Sequence, residues 1–326
     1  MNEMRATLRR PPPEQLVLFE KDPKTKIATI TLNRPDALNA PTIAARLRFA
    51  ELVHRANIDD DVKVLIIRGE GKHLGSGADL EEQDGMLNPK PGESLLHEFK
   101  IAEDGTVKYP PPGSYRFLAS ITNLYADDSF GCRSLQNFKK ISILECKGYV
   151  YGWHFYLAGD ADIVVSSEEA LYGHAAFRYV GWGPRMWTWC EMMGVRKFME
   201  MVFTGRPFTA QQMYDCNFIN SVVPREKLEE ETMKYALACS MTRPNDTVVA
   251  QKTFFEIYKQ YRGEYMGSLM TGFLEGIKPI MADDSGALDQ GLGEDVMEKG
   301  LANSVKDNDM RFPPDWRLSF GGRSKP

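Results

Sequence analysis

The stretch Lys147–Asp162, KGYVYGWHFYLAGDAD, decides the fold. It lies within a segment in which Ile141 to Val150 has strand composition, Phe155 to Ala161 reads as a short helix, and Ile163 to Ser166 returns to strand. The same order occurs earlier in the chain. Ile27 to Leu32 alternates β-branched residues and ends at the turn Asn33-Arg34-Pro35, Pro41 to Asn57 carries apolar residues at helical spacing, and Val62 to Ile67 (VKVLII) is a continuous apolar run of buried-strand type. Gly69, Gly71, Gly75 and Gly77 then break the chain. Two β-α-β units, the first ending in a glycine-rich loop, predict an α/β fold. From Thr209 onward helical signals dominate. Between Glu82 and Asn137, Asn88-Pro-Lys-Pro-Gly92, Asp104-Gly105 and Pro110-Pro-Pro-Gly113 punctuate the chain, which predicts a long irregular insertion over the active site.

Bulk composition narrows the class. The 326 residues are 43% hydrophobic, enough for a large core, and contain no apolar run of membrane-spanning length. A net charge of -5, with basic residues interspersed among acids, gives no nucleic-acid footprint. The five cysteines, an odd number without framework or metal spacing, are expected to be reduced thiols. The first residues run from basic into prolines instead of an apolar stretch, so a cytoplasmic protein is expected.

Four blocks carry a family resemblance. Ile30 to Ala40 (ITLNRPDALNA) is similar to a T-L-N-R-P-x-x-x-N-A entry, and Lys72 to Leu80 (KHLGSGADL) to a K-x-F-x-A-G-A-D-L loop. Lys147–Asp162 keeps the frame Gly148, Gly152, Leu157, Ala158 and Asp162 of an N-G-x-x-x-G-G-G-x-E-L-A-x-x-x-D segment. Thr204 to Ala210, followed by Ile219 to Pro224, forms the fourth. In this order the blocks resemble the crotonase (enoyl-CoA hydratase/isomerase) superfamily. The resemblance implies a crotonase fold, a spiral of β-β-α units, with a core over residues 15–225 (insertion 82–137) and a helical C-terminal region over 226–326 that packs between subunits. A homotrimer or homohexamer is implied, with the methionine-rich stretch Met266 to Met281 as the candidate contact.

What the resemblance implies for chemistry is specific. Two backbone N–H groups, which fall here on Ala78 and Trp153, would point at one thioester oxygen, backed by a helix N-terminus. A tryptophan at 153 is expected to strain a backbone that favours glycine and to place its indole in part of the acyl pocket; the alternative is a plain core aromatic. The two usual catalytic glutamates are absent. Tyr156 stands at the first, and Ala176 or Phe177 at the second. An ordinary hydration needs an acid and a base. Tyr156, His154 and His174 are the candidate replacements, since histidine titrates near neutrality unaided. His154 and Tyr156, two residues apart, point to opposite sides of a helix.

Lys72, Asp79, Phe177, Arg178 and Trp182 are the expected substrate-binding residues, with Tyr179 and Arg185 as further candidates and His73 at the border of the cofactor groove. Lys72 would face the nucleotide phosphates of coenzyme A, whereas Glu81 replaces a frequent second lysine. Coenzyme A is expected as part of the substrate; no separate cofactor or metal is expected. Three functions compete: an acyl-CoA enzyme of hydratase/isomerase type, a hydrolase opening a cyclic β-diketone by retro-Claisen attack of water, and a non-catalytic binding protein. The first is preferred.

Overall fold

The computed structural model describes residues 11–80, 82, 133–178, 181–277, 298–321 and 323. Most of the insertion, the end of the Met266 to Met281 stretch, Glu81 and Tyr179 therefore lie outside the described residues. The β-rich segments assemble into a six-stranded sheet of β1 (Val17–Asp22), β2 (Ile27–Leu32), β3 (Val64–Gly69), β4 (Ile141–Cys146), β6 (Ile163–Ser167) and β9 (Ser221–Val223), in the order β1-β2-β3-β4-β6-β9. Only β1 runs antiparallel to its neighbour.

Parallel strands covered on both faces read as continuous apolar runs, and that is how Val64–Ile67 reads. Side chains alternate between the faces. Ala28, Ile30, Leu65, Ile67, Leu144 and Val164 enter the larger core with Phe49 and Leu52 of helix α1 (Ile43–Ile58). Ile27, Val64, Ile66, Ile143 and Val165 pack on the other face against Leu228 and Ala236 of Leu228–Thr242.

The expected strand from Ile141 to Val150 is two strands. Gly148 adopts φ 55°, and the chain leaves the large sheet there to form β5 (Tyr149–Tyr151). This strand joins β7 (Leu171–Gly173) and β8 (Phe208–Thr209) in a second, three-stranded sheet. Only a residue without Cβ turns so sharply at little cost. The expected helix from Phe155 begins two residues earlier, as α2 (Trp153–Asp160), and all eight of its residues are buried. Hydrophobic all round except at His154 and Asp160, α2 runs through the core.

Asp160 closes α2 in an unfavourable place for an anion, the negative end of the helix dipole. Fully buried Arg185 compensates: Nη2 bonds both Asp160 and Glu264 Oε1 (3.1 Å), and Nη1 bonds Ser268 Oγ (2.7 Å). Thr188 and Gln136 also donate to Glu264 Oε1, at 2.5 and 2.8 Å. The guanidinium thereby staples α3 (Met186–Met193) and α4 (Glu264–Ile277) to α2. On the other side of α4, Tyr265, Met266, Met270 and Phe273 are at least half exposed, as are Phe254, Phe255 and Ile257 of the preceding helix, Asn245–Tyr261.

The expectation that Arg185 binds a substrate carboxylate is corrected, because its contacts are internal. Arg185→Ala should cost about 3–5 kcal/mol in urea unfolding, since it strands two buried carboxylates; a loss below about 1 kcal/mol would show that the staple carries no load.

Candidate active site

The glycine-rich loop is laced alongside the start of the Lys147–Asp162 stretch. Leu74 N–H donates to Lys147 O (2.7 Å), Gly75 N–H to Tyr149 O (2.8 Å) and Tyr151 N–H to Gly75 O (3.0 Å). A second set of bonds ties it to the T-L-N-R-P block. Ser76 N–H donates to Leu38 O (3.0 Å), and the Asn39 carboxamide donates to Glu70 O and His73 O (3.0 and 2.9 Å). Leu38 and Asn39 reach these positions through the left-handed region, at φ 53° and 55°.

Held this way, Gly77 (φ 104°) and Gly152 (φ 55°) press backbone on backbone. A Cβ added to Gly152 would stand 2.9 Å from Gly77 Cα and 3.7 Å from Ala78 N. Ala78 therefore lies beside the N-terminus of α2, where Gly152 is the N-cap and Trp153 the first helical residue. The left-handed conformation falls on Gly152, so Trp153 carries none of the anticipated strain. Its indole is part of the large core. It is 2% exposed and packs edge-on against Phe49, ring centroids 5.1 Å apart.

The candidate proton carriers separate. Tyr156 and His174 come together on the other side of α2, ring centroids 5.6 Å apart, with Phe177 at 5.0 Å and Trp189 at 5.6 Å from the imidazole. Neither ring nitrogen of His174 meets a partner at good hydrogen-bond geometry among the described residues, although the Trp182 backbone is near enough to favour its protonated form. Burial pushes the His174 pKa down to about 4, against a small opposing effect of the Trp182 backbone. His154 points away, as its spacing from Tyr156 requires. It is wholly enclosed, with Nδ1 3.3 Å from Gly77 N and 3.3 Å from Tyr151 O, and burial lowers its pKa to about 3. His154, expected from the sequence to move a proton, lies instead with its ring against Gly75 and Gly77 of the loop, apart from Tyr156 and His174.

Several expected substrate contacts prove to be internal. Asp79 Oδ2 accepts from Arg34 Nη1 (2.7 Å) and Oδ1 from Glu82 N (3.1 Å), so this carboxylate anchors the loop. The Arg178 side chain is 2% exposed. It binds Asp309 (2.7 Å), Gly205 O (2.9 Å) and Trp316 O (2.6 Å), and lies 3.6 Å over the Phe312 ring, holding the C-terminal segment. Trp182 Nε1 donates to Thr271 O (3.0 Å) of α4. Phe177 is buried beside His174. Lys72 is exposed and free to meet a ligand; its carbonyl and that of Gly71 accept from Arg225 (3.2 and 3.0 Å). His73 Nδ1 accepts from Tyr149 N (3.0 Å), and its ring stacks on Tyr149 at 4.4 Å.

Arg34, Arg225 and Gly75 escaped the sequence reading. Their partners Asp79, Glu169 and His154 lie 45, 56 and 79 residues away, and no local spacing signals such pairs. Among the described residues no cluster of His, Cys, Asp or Glu could hold a metal ion, and no helix is long and apolar enough to cross a membrane.

Residues 123–264 match the family Enoyl-CoA hydratase/isomerase. The chain is 25% identical over 231 residues to "Putative enoyl-CoA hydratase EchA13" of Mycobacterium tuberculosis, covering 70% of each chain. It is 26% identical over 229 residues to "Probable enoyl-CoA hydratase, mitochondrial" of Dictyostelium discoideum, covering 68% of this chain and 70% of that one. In fold it is similar to the crystal structure of an enoyl-CoA hydratase from Mycobacterium smegmatis (TM-score 0.72, 19% identity, 91% and 94% of the two chains). An enoyl-CoA hydratase/isomerase from Xanthobacter autotrophicus Py2 is equally close (TM-score 0.72, 21% identity, 91% and 98%). The chain has the fold of these structures, and its residues 123–264 match the enoyl-CoA hydratase/isomerase family.

Both buried histidines are neutral in the folded chain, whereas the unfolded chain takes up their protons near pH 6.5. The folded pKa values are depressed, so the stability they contribute is complete above pH 6.5 and is lost as pH falls toward about 4 and about 3. Each should contribute a slope of up to about 1.4 kcal/mol per pH unit in that window. Urea midpoints at several pH values should show a shallower acid slope for His174→Phe than for wild type; identical slopes would mean that His174 is not held neutral.

Proposed function

We propose that the chain is a crotonase-type enzyme of the enoyl-CoA hydratase/isomerase type, in which Ala78 and Trp153 N–H groups hold the oxyanion of a thioester enolate and His174 and Tyr156 move the protons. The apposition of Gly77 and Gly152, which brings Ala78 beside the N-terminus of α2, carries this reading. Such donors, aimed where charge develops, stabilise an enolate far more than in water. His174, neutral with a folded pKa of about 4, can accept a proton from water or from the α-carbon at neutral pH. When water adds to the enoyl β-carbon, its proton passes to His174. The enolate electrons then take a proton at the α-carbon, with the Tyr156 phenol as the donor and the imidazolium as its source of resupply. Lys72 remains the candidate for the phosphates of coenzyme A.

Replacing His174 with Gln should lower turnover of crotonyl-CoA by about 10²–10⁴, and Tyr156→Phe should also be slow. Wild-type rates in both variants would place the proton transfer elsewhere.

The second reading, hydrolysis of a cyclic β-diketone, draws support from the aromatic wall of Tyr156, Phe177 and Trp189 around an unprotonated imidazole, which suits a flat ring attacked by water. Millimolar coenzyme A at about 100 times its dissociation constant would stabilise an acyl-CoA enzyme by roughly 2.7 kcal/mol. An unmoved melting temperature, with ring opening of a diketone, selects the second reading.

The exposed apolar face of α4 and the helix before it fits further copies of this chain, as a homotrimer or homohexamer, because isolated patches of this size are uncommon on monomers. Light scattering should give three or six times the mass of one chain. A mass of one chain at micromolar concentration would remove the assembly.

A further inference from the structure

We infer that His154 is a positioning residue that sets the separation of the two oxyanion donors, and that Gly75 is its obligatory counterpart. The inference deepens the oxyanion reading of Ala78 and Trp153 and rests on it. One ring atom touches both segments that deliver those donors. Nδ1 lies 3.3 Å from the N of Gly77, the residue before Ala78, and 3.3 Å from the O of Tyr151, two residues before Trp153. Depending on its tautomer, the neutral ring accepts from Gly77 N–H or donates to Tyr151 O through this one nitrogen, and in either form the imidazole is a spacer between the loop and the start of α2.

The fit on the loop side is just as tight. A Cβ on Gly75 would fall within the imidazole, overlapping Cε1 and Nε2. The loop cannot draw back to make room, because Gly75 uses both backbone groups to bond Tyr149 O (2.8 Å) and Tyr151 N (3.0 Å). A side chain at 75 therefore pushes either the loop or α2, and each carries one donor. The ring is wholly buried between the loop and the start of α2, and it acts through geometry.

A donor displaced by about 1 Å can cost about 10²-fold in rate. The expected split is a kcat for His154→Ala lowered by about 10–100-fold with KM nearly unchanged. His154→Asn, whose Oδ1 can take the place of Nδ1 as acceptor, should recover most of that loss with an unaltered pH profile. Gly75→Ala should be as damaging as His154→Ala in the wild type and nearly harmless once His154 is Ala.

The decisive measurement does not need turnover. Acetoacetyl-CoA, or cyclohexane-1,3-dione under the second functional reading, is bound to saturation, and the ultraviolet band of its enolate is read per bound ligand, with melting curves confirming that each variant is folded. A reduced band in His154→Ala, restored in His154→Asn, supports the inference. A wild-type band in His154→Ala overturns it, as does His154→Asn behaving like Ala, or Gly75→Ala being equally harmful with and without His154. Absence of the band in the wild type with both probes removes the oxyanion reading itself, and the inference with it; a wild-type band without crotonyl-CoA turnover removes only the hydratase reading.

Discussion

The contact between Gly77 and Gly152 is the constraint on which the site depends. Two backbones from distant parts of the chain meet where neither residue has a Cβ, and both use φ values that other residues avoid. The result is a glycine-rich loop lying across a helix N-terminus, held by hydrogen bonds from Leu74, Gly75 and Ser76 on one side and the Arg34–Asp79 ion pair on the other. Every one of those ties is internal. The loop is thus held on both sides, with its backbone N–H groups fixed in direction by bonds within the chain.

Around this contact the fold places charges where they are fully committed. Arg185 gathers Asp160, Glu264 and Ser268 beneath α2, and Arg178 gathers Asp309 and the carbonyls of Gly205 and Trp316. Each joins a late segment of the chain to the core through a buried guanidinium. A buried ion pair contributes little net stability over an apolar substitute, but breaking one partner is costly, so such pairs favour one docking geometry over its neighbours. Here the geometry fixed is that of α4 and the C-terminal segment against the floor of the site.

The two buried histidines show how position alone divides one chemistry into two roles. Both are kept neutral by desolvation, His174 at a pKa of about 4 and His154 at about 3. His174 sits among the rings of Tyr156, Phe177 and Trp189. The other histidine has a nitrogen already engaged with the loop backbone. Helix geometry produces the split, since residues 154 and 156 diverge by about 200° around the axis.

The sequence alone determined the α/β class, the two β-α-β units, the helical end of the chain and the blocks that align Ala78, Trp153 and Tyr156, because strand and helix periodicities and glycine placement are local signals. It also placed His154 and Tyr156 on opposite faces, which is a matter of spacing. Tertiary structure decided which of the two histidines faces the aromatic cluster, that the Trp153 indole lies against Phe49, and that Asp79, Arg178 and Arg185 are consumed by internal pairs. The ion pairs of Asp79, Arg178 and Arg185 join residues 25 to 131 apart in the chain. A charged or aromatic side chain looks the same in sequence whether it meets a ligand or another part of its own fold, and only the packing of distant segments removes that ambiguity.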